Sequence, residues 1–168
     1  TTDKVYKNNG SLIPYNEDDK LGGFDPYSSS KACSEILIDS YRNSFFNLTN
    51  YNKHRKSIAV ARAGNIIGGG DWSKDRLLPD VARSCILESD LIIRNPQSTR
   101  PWQHVIDALI GYLILGQRLK NEPIKYSQEY NFGPDPKRVY SVQDIMKNIS
   151  KFWNEISYKE MESSDNLH

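Results

Sequence analysis

One short apolar run constrains the fold of this chain more than any other feature. Residues 57–62 read Ser-Ile-Ala-Val-Ala-Arg, and helical patterns lie before and after them. A strand that is apolar throughout its interior is typical of a parallel sheet covered on both faces. The run leads into Gly64 and Asn65, which it places at the carboxyl edge of the sheet, where open α/β sheets bind their ligands.

The first residues of the chain predict a second strand that ends at the same edge. A strand over residues 1–6 would deliver Thr2 and Asp3 to the carboxyl edge of the sheet. Residues 7–24 are polar and contain glycines, so they predict a long surface loop. Thr2, Asp3 and Asn65 are therefore expected at one edge of one sheet.

A helix is predicted to begin at Asp25 and Pro26. Aspartate is a favoured N-cap residue, and proline is tolerated at the first helical position. Apolar residues then recur at helical spacing, and they are expected to face the core. These residues are Cys33, Ile36, Leu37, Tyr41 and Phe45.

The rest of the chain continues to alternate between helical and strand patterns, as an α/β fold requires. Residues 105–119 form the most apolar helix, which is expected to be buried on more than one side. Ser141 and Asp144 resemble a capping box at the start of a last helix. The other predicted features are a helix over 77–87, strands over 91–93 and 130–132, an irregular loop over 66–75, and one apolar face made of Val142, Ile145, Ile149, Phe152 and Ile156.

Composition excludes several classes of function. The net charge of +1 gives no sign of a nucleic-acid or membrane-surface partner. No apolar stretch approaches the ~20 residues of a transmembrane helix, and the first residues lack a signal-peptide pattern, so a cytoplasmic protein is expected. The two cysteines, Cys33 and Cys85, lack metal-ligand spacing and are expected to be buried free thiols. No metal site is predicted.

Tyr27 and Lys31 form the motif that carries the most chemistry. Residues four apart lie on one helix face, so the Lys31 ammonium can sit near the Tyr27 phenol and favour its deprotonated form. A tyrosine activated in this way can act as a general base. Asp3, with the hydroxyl of Thr2 beside it, would supply a separate proton donor. Tyr-x-x-x-Lys alone also occurs by chance on surface helices, and it is the combination with Thr2 and Asp3 that favours a catalytic site.

Further motifs extend this pair into a pattern that covers most of the chain. They are Thr2-Asp3-Lys4-Val5-Tyr6, Tyr27-Ser-Ser-Ser-Lys31, the run from Arg62 to Trp72, the run from Arg94 to Val105, and Tyr130-Asn131-Phe132-Gly133-Pro134. On these motifs the chain resembles the extended short-chain dehydrogenase/reductase superfamily of nicotinamide-dependent enzymes that modify nucleotide sugars. Within it, Gly-Gly-Gly-Asp-Trp at 68–72 and Arg-Pro-Trp-Gln-His at 100–104 resemble the CDP-glucose 4,6-dehydratase family.

The resemblance implies a fold and a reaction. The fold would be α/β, the later part of a doubly wound parallel, Rossmann-like sheet with a smaller, interleaved substrate-binding domain. The reaction would be an internal redox cycle that converts CDP-glucose to CDP-4-keto-6-deoxyglucose with NAD as cofactor. The small-molecule partner would accordingly be a nucleotide sugar.

Catalytic roles follow from the same resemblance. Tyr27 would take the proton of the sugar 4-hydroxyl, and Lys31 would favour the phenolate and bond the nicotinamide ribose. Thr2 would hold the 4-hydroxyl or the tyrosine oxygen. Asp3 would protonate the departing C6 hydroxyl. An ordinary solvated lysine at position 31 and a strand-end cap at Asp3 are the alternatives that need no ligand.

Lys4 departs from the pattern of the better-known dTDP-sugar dehydratases, which have a glutamate there to remove the C5 proton. An ammonium cannot take a proton while it is charged. Either Lys4 is desolvated enough to act as a neutral amine, or it stabilises the enolate while another group takes the proton. The CDP-glucose enzymes share this lysine. A surface lysine is the remaining alternative.

Arg100 is the best candidate for a pyrophosphate contact, because a guanidinium pairs with phosphate through two hydrogen bonds. The resemblance adds Asn65 as a phosphate contact, Leu77 as a residue against the nucleotide base, and Asn131 as a further nucleotide contact. An apolar residue at the start of a helix, such as Leu77, needs no ligand to explain it. Weaker candidates, which surface exposure or packing would also explain, are Arg76, Arg94, Trp72, Trp102 and His104.

The chain has no Gly-x-Gly-x-x-Gly motif, which dinucleotide-binding folds carry on their first strand–helix turn. The resemblance therefore predicts an internal fragment that would bind NAD poorly by itself. Residues 1–64 would belong to the NAD-binding domain, and residues 65–168 would mix substrate-binding segments with the last sheet elements. The superfamily's usual contact, through the helix that bears Tyr27 and its neighbour, implies a homodimer.

Two other functions remain open. One is another activity of the same superfamily, a 4-epimerase or a decarboxylase, which Asp3, Lys4 and the motif at 68–72 oppose. The other is a catalytically inactive fragment or binding module, which the missing glycine turn favours when the 168 residues are taken alone.

Overall fold

A computed structural model describes residues 1–10, 13–153 and 156–160. Its α-helices are α1 (Pro26–Ser44), α2 (Tyr51–His54), α3 (Leu77–Ile86), α4 (Val105–Asn121) and α5 (Val142–Ser150). Its strands are β1 (Val60–Ala63), β2 (Ile66–Ile67), β3 (Leu91–Ile93), β4 (Thr99–Arg100), β5 (Gln103–His104), β6 (Glu129–Phe132), β7 (Tyr140–Ser141) and β8 (Tyr158–Glu160). Two short 3-10 helices cover Asp3–Val5 and Leu48–Asn50.

Strands β1 and β6 form the parallel sheet that the apolar run predicts. Val60 lies opposite Glu129 and Ala63 opposite Phe132 in a parallel register. On the other side of β1, Thr2 makes a single parallel bridge to Ala63. Because these strands run in one direction, Thr2 and the ends of β1 and β6 lie at the same edge of the sheet. The prediction of a buried parallel strand is confirmed.

The prediction of a strand over residues 1–6 is wrong beyond Thr2. After its bridge the chain turns into the 3-10 helix Asp3–Val5, and the Thr2 hydroxyl accepts a hydrogen bond from the Lys4 amide at 3.4 Å. Successive strand residues point to opposite faces, whereas this turn lets Val5 and Tyr6 pack together in one buried cluster. Asp3 therefore lies in a turn rather than in a strand.

The loop predicted after residue 6 is confirmed over its described residues, 7–10 and 13–24. The end of the loop returns to Tyr6 through an isolated antiparallel bridge between Tyr6 and Leu21. The Tyr15 ring stacks on the Tyr6 ring, with centroids 5.0 Å apart and planes 9° from parallel. The loop is thus held against the turn that carries Asp3.

Helix α1 begins as the sequence predicts. The Asp25 side chain accepts hydrogen bonds from the Tyr27 and Ser28 amides, and the Ser28 hydroxyl completes a capping box. The Ser28 hydrogen bonds hold the pKa of the Asp25 carboxyl below its ordinary value, which favours the charged cap at the positive end of the helix.

The predicted buried face of α1 is wrong. The buried residues of α1 are Ser28, Ala32 and Glu35, and the small Ala32 lets the helix pack in one cluster with Val5 and Tyr6. The large apolar side chains lie on other faces of the helix. Those that were expected in the core and are exposed instead are Cys33, Ile36, Leu37, Tyr41 and Phe45.

In helix α4, too, small residues are buried and large apolar residues are exposed. Ala108 is its buried residue, and Gly111 lies so close to β6 that an added Cβ would come within 2.5 Å of the Phe132 ring. The large apolar residues, which were expected to be buried on several sides, are exposed: Ile106, Leu109, Ile110, Leu113 and Ile114. No helix in the described ranges is long and apolar enough to cross a membrane.

A second cluster is built from later elements. Strand β3 pairs in parallel with β8, and Val81 of α3, Ile93 of β3 and Met146 of α5 form its buried centre. The predicted helix at 77–87 and the capping box of Ser141 and Asp144 are confirmed. Met146, fully buried, was absent from the predicted apolar face of α5, whereas Phe152 is 91% exposed because α5 ends before it.

Two further strand pairs are short. Strand β2 pairs in parallel with β5, so the prediction of an irregular loop over 66–75 is wrong for Ile66 and Ile67. Strand β4 pairs antiparallel with β7. The division of function between residues 1–64 and 65–168 stays a prediction.

Candidate functional site

The predicted catalytic residues come from two packed segments. Thr2 pairs with the end of β1 at the sheet edge, and Asp3 follows it in the 3-10 turn. Tyr27 and Lys31 lie on the first turns of α1. The two segments are joined through the buried contact of Val5 and Tyr6 with Ala32, one residue after Lys31. The fold therefore brings the predicted base and the predicted acid to one region of the protein.

Tyr27 and Lys31 are arranged as the motif predicts. The Lys31 Nζ atom lies 5.8 Å from the centre of the Tyr27 ring. Tyr27 is 53% exposed, so its phenol is open to a ligand, and Lys31 is half-buried. Because Asp25 caps the helix directly before Tyr27, the first turn that carries the phenol is fixed by local hydrogen bonds.

Asp3 has the electrostatics of a proton donor. Burial raises the pKa of its carboxyl above the ordinary value, while the hydrogen bond from Thr2 and the charges of Lys4 and Arg100 oppose the rise. The Thr2 hydroxyl donates to Asp3 Oδ1 at 3.1 Å. A carboxyl with a raised pKa keeps its proton to higher pH, which general-acid catalysis requires.

The raised pKa of Asp3 predicts how the stability of the protein depends on pH. A carboxyl whose pKa is raised in the folded state destabilises that state once it ionises. Asp3→Asn removes the charge and keeps the acceptor for Thr2, so the variant should gain stability over wild type as pH rises from about 4, the ordinary aspartate range, through the folded pKa. Urea unfolding at a series of pH values measures the difference.

Asp18→Asn is the matched control for this stability series, because Asp18 is exposed in the neighbouring loop. As a surface substitution it should change the free energy of unfolding by less than about 0.5 kcal/mol. A pH-independent difference between Asp3→Asn and wild type would contradict the assignment of a raised pKa to Asp3.

Gly64 allows the segment around Arg100 to approach Asp3. A Cβ added to Gly64 would lie 2.6 Å from Pro101 Cγ and 3.0 Å from Asp3 Oδ2. Both distances are shorter than normal contacts, so the absence of a side chain is what brings Asp3 and Pro101 together. This proximity explains why the Arg100 charge acts on the pKa of Asp3.

Arg100 is exposed and available to an anion. Its Nη1 donates to the Thr99 carbonyl at 3.0 Å, and within the described ranges it makes no ion pair with a carboxylate. The weaker candidates are paired: Arg76 lies 3.4 Å from Asp71, and Arg94 lies 3.6 Å from Asp75. The geometry therefore supports Arg100 over the other two as a phosphate contact.

The site and its fold can be compared with known proteins. The sequence model of the NAD dependent epimerase/dehydratase family matches residues 1–133. The chain belongs to this family. Within the epimerase/dehydratase family, CDP-glucose 4,6-dehydratase of Salmonella typhimurium is 47% identical over 155 residues, which cover 92% of this chain and 43% of that protein.

Solved structures share the fold at low sequence identity. The dTDP-glucose 4,6-dehydratase of Bacillus anthracis in complex with NAD matches with a TM-score of 0.67 and 20% identity, over 96% of this chain and 48% of that chain. The UDP-glucuronic acid 4-epimerase of Bacillus cereus in complex with UDP-glucuronic acid and NAD matches with a TM-score of 0.72 and 19% identity, over 97% of this chain and 47% of that chain. The predicted Rossmann-like α/β fold is confirmed. The chain spans less than half the length of these relatives.

Three predicted substrate residues of this epimerase/dehydratase chain have different surroundings. Asn65 follows β1, and its carbonyl accepts a hydrogen bond from the Gln103 amide at 3.0 Å. Leu77 begins α3 and packs against the cluster around Met146, so packing alone explains it. The Asn131 side chain accepts from the Tyr6 hydroxyl at 2.7 Å and donates to the Tyr15 carbonyl at 3.3 Å. Their contacts with a nucleotide stay predictions.

The distinctive aromatic residues have structural contacts. His104 caps α4, with its Nδ1 accepting from the Ile106 amide at 3.2 Å. Trp102 Nε1 donates to the Tyr140 carbonyl at 3.2 Å. Trp72 is exposed, and its carbonyl accepts from Arg83 Nη1 at 2.6 Å. Hydrogen bonds with the backbone thus account for His104 and Trp102, whereas the Trp72 ring is open.

Sequence reasoning missed a buried polar network. Glu35 and Arg62 form an ion pair, and Arg62 also donates to the Tyr6 hydroxyl at 2.7 Å. Two signals could have indicated it: Glu35 continues the four-residue spacing of Tyr27 and Lys31, and Arg62 is a charge at the end of an apolar strand. In the described residues no group of three or more His, Cys, Asp or Glu could hold a metal ion.

Arg100→Ala should weaken the binding of a diphosphate-bearing ligand, with CDP as the probe, by roughly 1.5–3 kcal/mol, the scale of a hydrogen bond to a charged group. Calorimetric titration of the complete protein, with every residue that its gene encodes, measures this. Arg94→Ala is the control and should change the affinity by less than about 0.5 kcal/mol. Equal affinities for wild type and Arg100→Ala would make Arg100 an ordinary surface charge.

Proposed function

We propose that these residues form the catalytic part of an NAD-dependent CDP-glucose 4,6-dehydratase, which converts CDP-glucose to CDP-4-keto-6-deoxyglucose. The observation that carries the proposal is Asp3, a partly buried carboxyl with a raised pKa, in the turn packed against the helix that bears Tyr27 and Lys31. A proton donor beside a Tyr–Lys pair suits a reaction that oxidises one carbon and expels a hydroxyl from another. Identity of 47% with the Salmonella enzyme supports CDP-glucose as the substrate.

The donor set of α1 fits NAD, which the relatives from Bacillus anthracis and Bacillus cereus bind. A half-buried ammonium, Lys31, lies on the same helix face as the exposed phenol of Tyr27. An ammonium is a suitable donor to a ribose hydroxyl, and a phenol to a sugar hydroxyl. Bound NAD supplies a hydride acceptor that later returns the hydride. Lys31 would hold the nicotinamide ribose, and Tyr27 would face the sugar.

The side chains of this protein would move the protons. Tyr27, with the Lys31 ammonium 5.8 Å from its ring centre, would take the proton of the 4-hydroxyl. Thr2 would hold that hydroxyl or the tyrosine oxygen. Asp3 would give its proton to the departing C6 hydroxyl, since burial raises the pKa of this carboxyl. A carboxyl that was fully ionised would have no proton to give.

Lys4 would act through its charge. Its side chain is exposed, so the structure gives no support for a desolvated, neutral amine. A cation at this position lowers the pKa of Asp3 and could stabilise negative charge that develops on the sugar. Another group would take the C5 proton.

Product analysis tests the proposed function. The complete protein is incubated with NAD and with CDP-, dTDP-, UDP- or GDP-glucose, and the products are identified by NMR and mass spectrometry. We expect a CDP-linked 4-keto-6-deoxy sugar that has lost one water. An isomer of unchanged mass would indicate a 4-epimerase instead, and unreacted CDP-glucose would contradict the proposal.

A homodimer is part of the proposal. The exposed apolar side chains of α1, which include Ile36, Leu37, Tyr41 and Phe45, support an interface through this helix. Light scattering on the complete protein measures the mass. The cytoplasmic location and the absence of a nucleic-acid partner stay predictions from the sequence.

A further inference from the structure

A buried ion pair joins α1 to the sheet. Glu35 and Arg62 are each 3% exposed. Arg62 Nε donates to Glu35 Oε1 at 3.0 Å and to Oε2 at 2.8 Å, and Nη2 donates to Oε2 at 2.5 Å. Burial lowers the pKa of the Arg62 guanidinium, but the hydrogen bonds to Glu35 and Tyr6 outweigh it and raise the pKa overall. The hydrogen bonds from Nε and Nη2 to the carboxylate make this ion pair bidentate.

The pair connects every segment that carries a predicted catalytic group. Glu35 lies four residues after Lys31 on α1. One of its oxygens also accepts a hydrogen bond from the Thr1 hydroxyl, in the segment that continues into Thr2 and Asp3. Arg62 lies on β1 and reaches the Tyr6 hydroxyl at the end of the Asp3 turn.

Stability alone gives little reason for such a pair. The loss of hydration offsets most of the attraction between buried charges, and apolar residues of similar volume are often as stable. The two-pronged geometry of guanidinium and carboxylate, in contrast, permits one relative position of the two groups. The other buried residues of α1, Ser28 and Ala32, are small, and the hydrogen bonds of the Ser28 hydroxyl stay within the helix cap at Asp25.

We infer that the Glu35–Arg62 pair is a positioning element. It fixes the rotation of α1 and its position along the helix axis, and thereby places Tyr27 and Lys31 relative to Asp3. The inference rests on the proposed function, because its kinetic test measures the proposed reaction. The pair does not touch the reacting atoms. It acts through the backbone of α1, because a shift of about 1 Å in a reacting group can lower a rate by about 100-fold.

The double variant Glu35→Leu/Arg62→Met tests the inference, since it removes both charges and keeps apolar volume in the core. In the complete protein we expect kcat for CDP-glucose to fall about 10- to 100-fold, with KM and the melting temperature close to wild type. A role in stability alone would move the melting temperature and leave kcat per folded molecule unchanged.

The matched control is Arg42→Met/Glu129→Leu. This ion pair, at 2.8 Å, also joins α1 to the sheet, but it lies further from Tyr27 along the helix. We expect wild-type kcat for it. A fall in kcat as large as that of the Glu35 variant would mean that any loss of contact along α1 has the same effect, and would overturn the inference.

Arg62→Lys decides the question if the double variant fails to fold. Lysine keeps the buried charge but offers a point charge in place of the planar fork. We expect a folded protein with lowered kcat and unchanged KM, and wild-type kcat would overturn the inference.

If wild type oxidises a nucleotide hexose other than CDP-glucose, the substrate assignment fails, and the same variants are compared on that sugar. If it oxidises none, both proposals fail.

Discussion

In the proposed reaction, replacing Tyr27 with phenylalanine will lower the rate of C4 oxidation by about 100- to 10,000-fold, the range that general-base catalysis contributes. The variant keeps the ring beside Lys31 and loses only the oxygen that takes the proton. Affinity for the nucleotide sugar should survive, because the proposed phosphate contact, Arg100, is unchanged. Stopped-flow absorbance of the reduced cofactor in a single turnover of the complete protein measures the rate, and calorimetry measures the affinity.

Tyr41→Phe is the control for this experiment. Tyr41 lies on the same helix and is similarly exposed, at 49% against 53% for Tyr27. Its loss should leave the oxidation rate at the wild-type value. Formation of the 4-keto product at a near-normal rate by Tyr27→Phe would remove Tyr27 from its proposed role.

Replacing Asp3 with asparagine will separate oxidation from dehydration. Asparagine keeps the shape of the side chain and its acceptor for Thr2, but it has no acidic proton for the C6 hydroxyl. Elimination of water should slow by about 100- to 10,000-fold, while oxidation at C4 persists. Reduced cofactor should therefore accumulate during a single turnover, where wild type shows only a transient.

Asp18→Asn, in the exposed part of the following loop, controls for a general loss of negative charge and should behave as wild type. An equal fall of oxidation and elimination in Asp3→Asn would assign Asp3 a positioning role. Retention of both rates would place the acid elsewhere in the protein.

Local features were predictable from the sequence. The caps at Asp25 and Ser141 are formed by residues three apart or fewer. The proximity of Tyr27 and Lys31 follows from the geometry of any α-helix. The strand at β1 is evident because its apolar run lies between helical patterns. Each of these features depends on a few neighbouring residues and not on the rest of the chain.

The buried faces of α1 and α4 could not be read from apolar spacing. Spacing indicates which residues share a face, and the prediction took the faces with the largest apolar side chains as buried. In α1 the small residues Ser28 and Ala32 are buried, and in α4 Ala108 is buried and Gly111 lies against the Phe132 ring. Close approach between backbones depends on small side chains, so apolar spacing identified the wrong helix face as buried.

The sequence by itself determined the family, the Tyr27–Lys31 pair and the candidate acid, because each depends on residue identity and short spacing. The tertiary structure decided the properties that make these groups useful. Burial raises the pKa of Asp3, Gly64 lets Pro101 and Asp3 meet, and Glu35 meets Arg62 across 27 positions of sequence. Each of these contacts depends on how distant segments pack, and packing is a property of the whole fold that no short motif encodes.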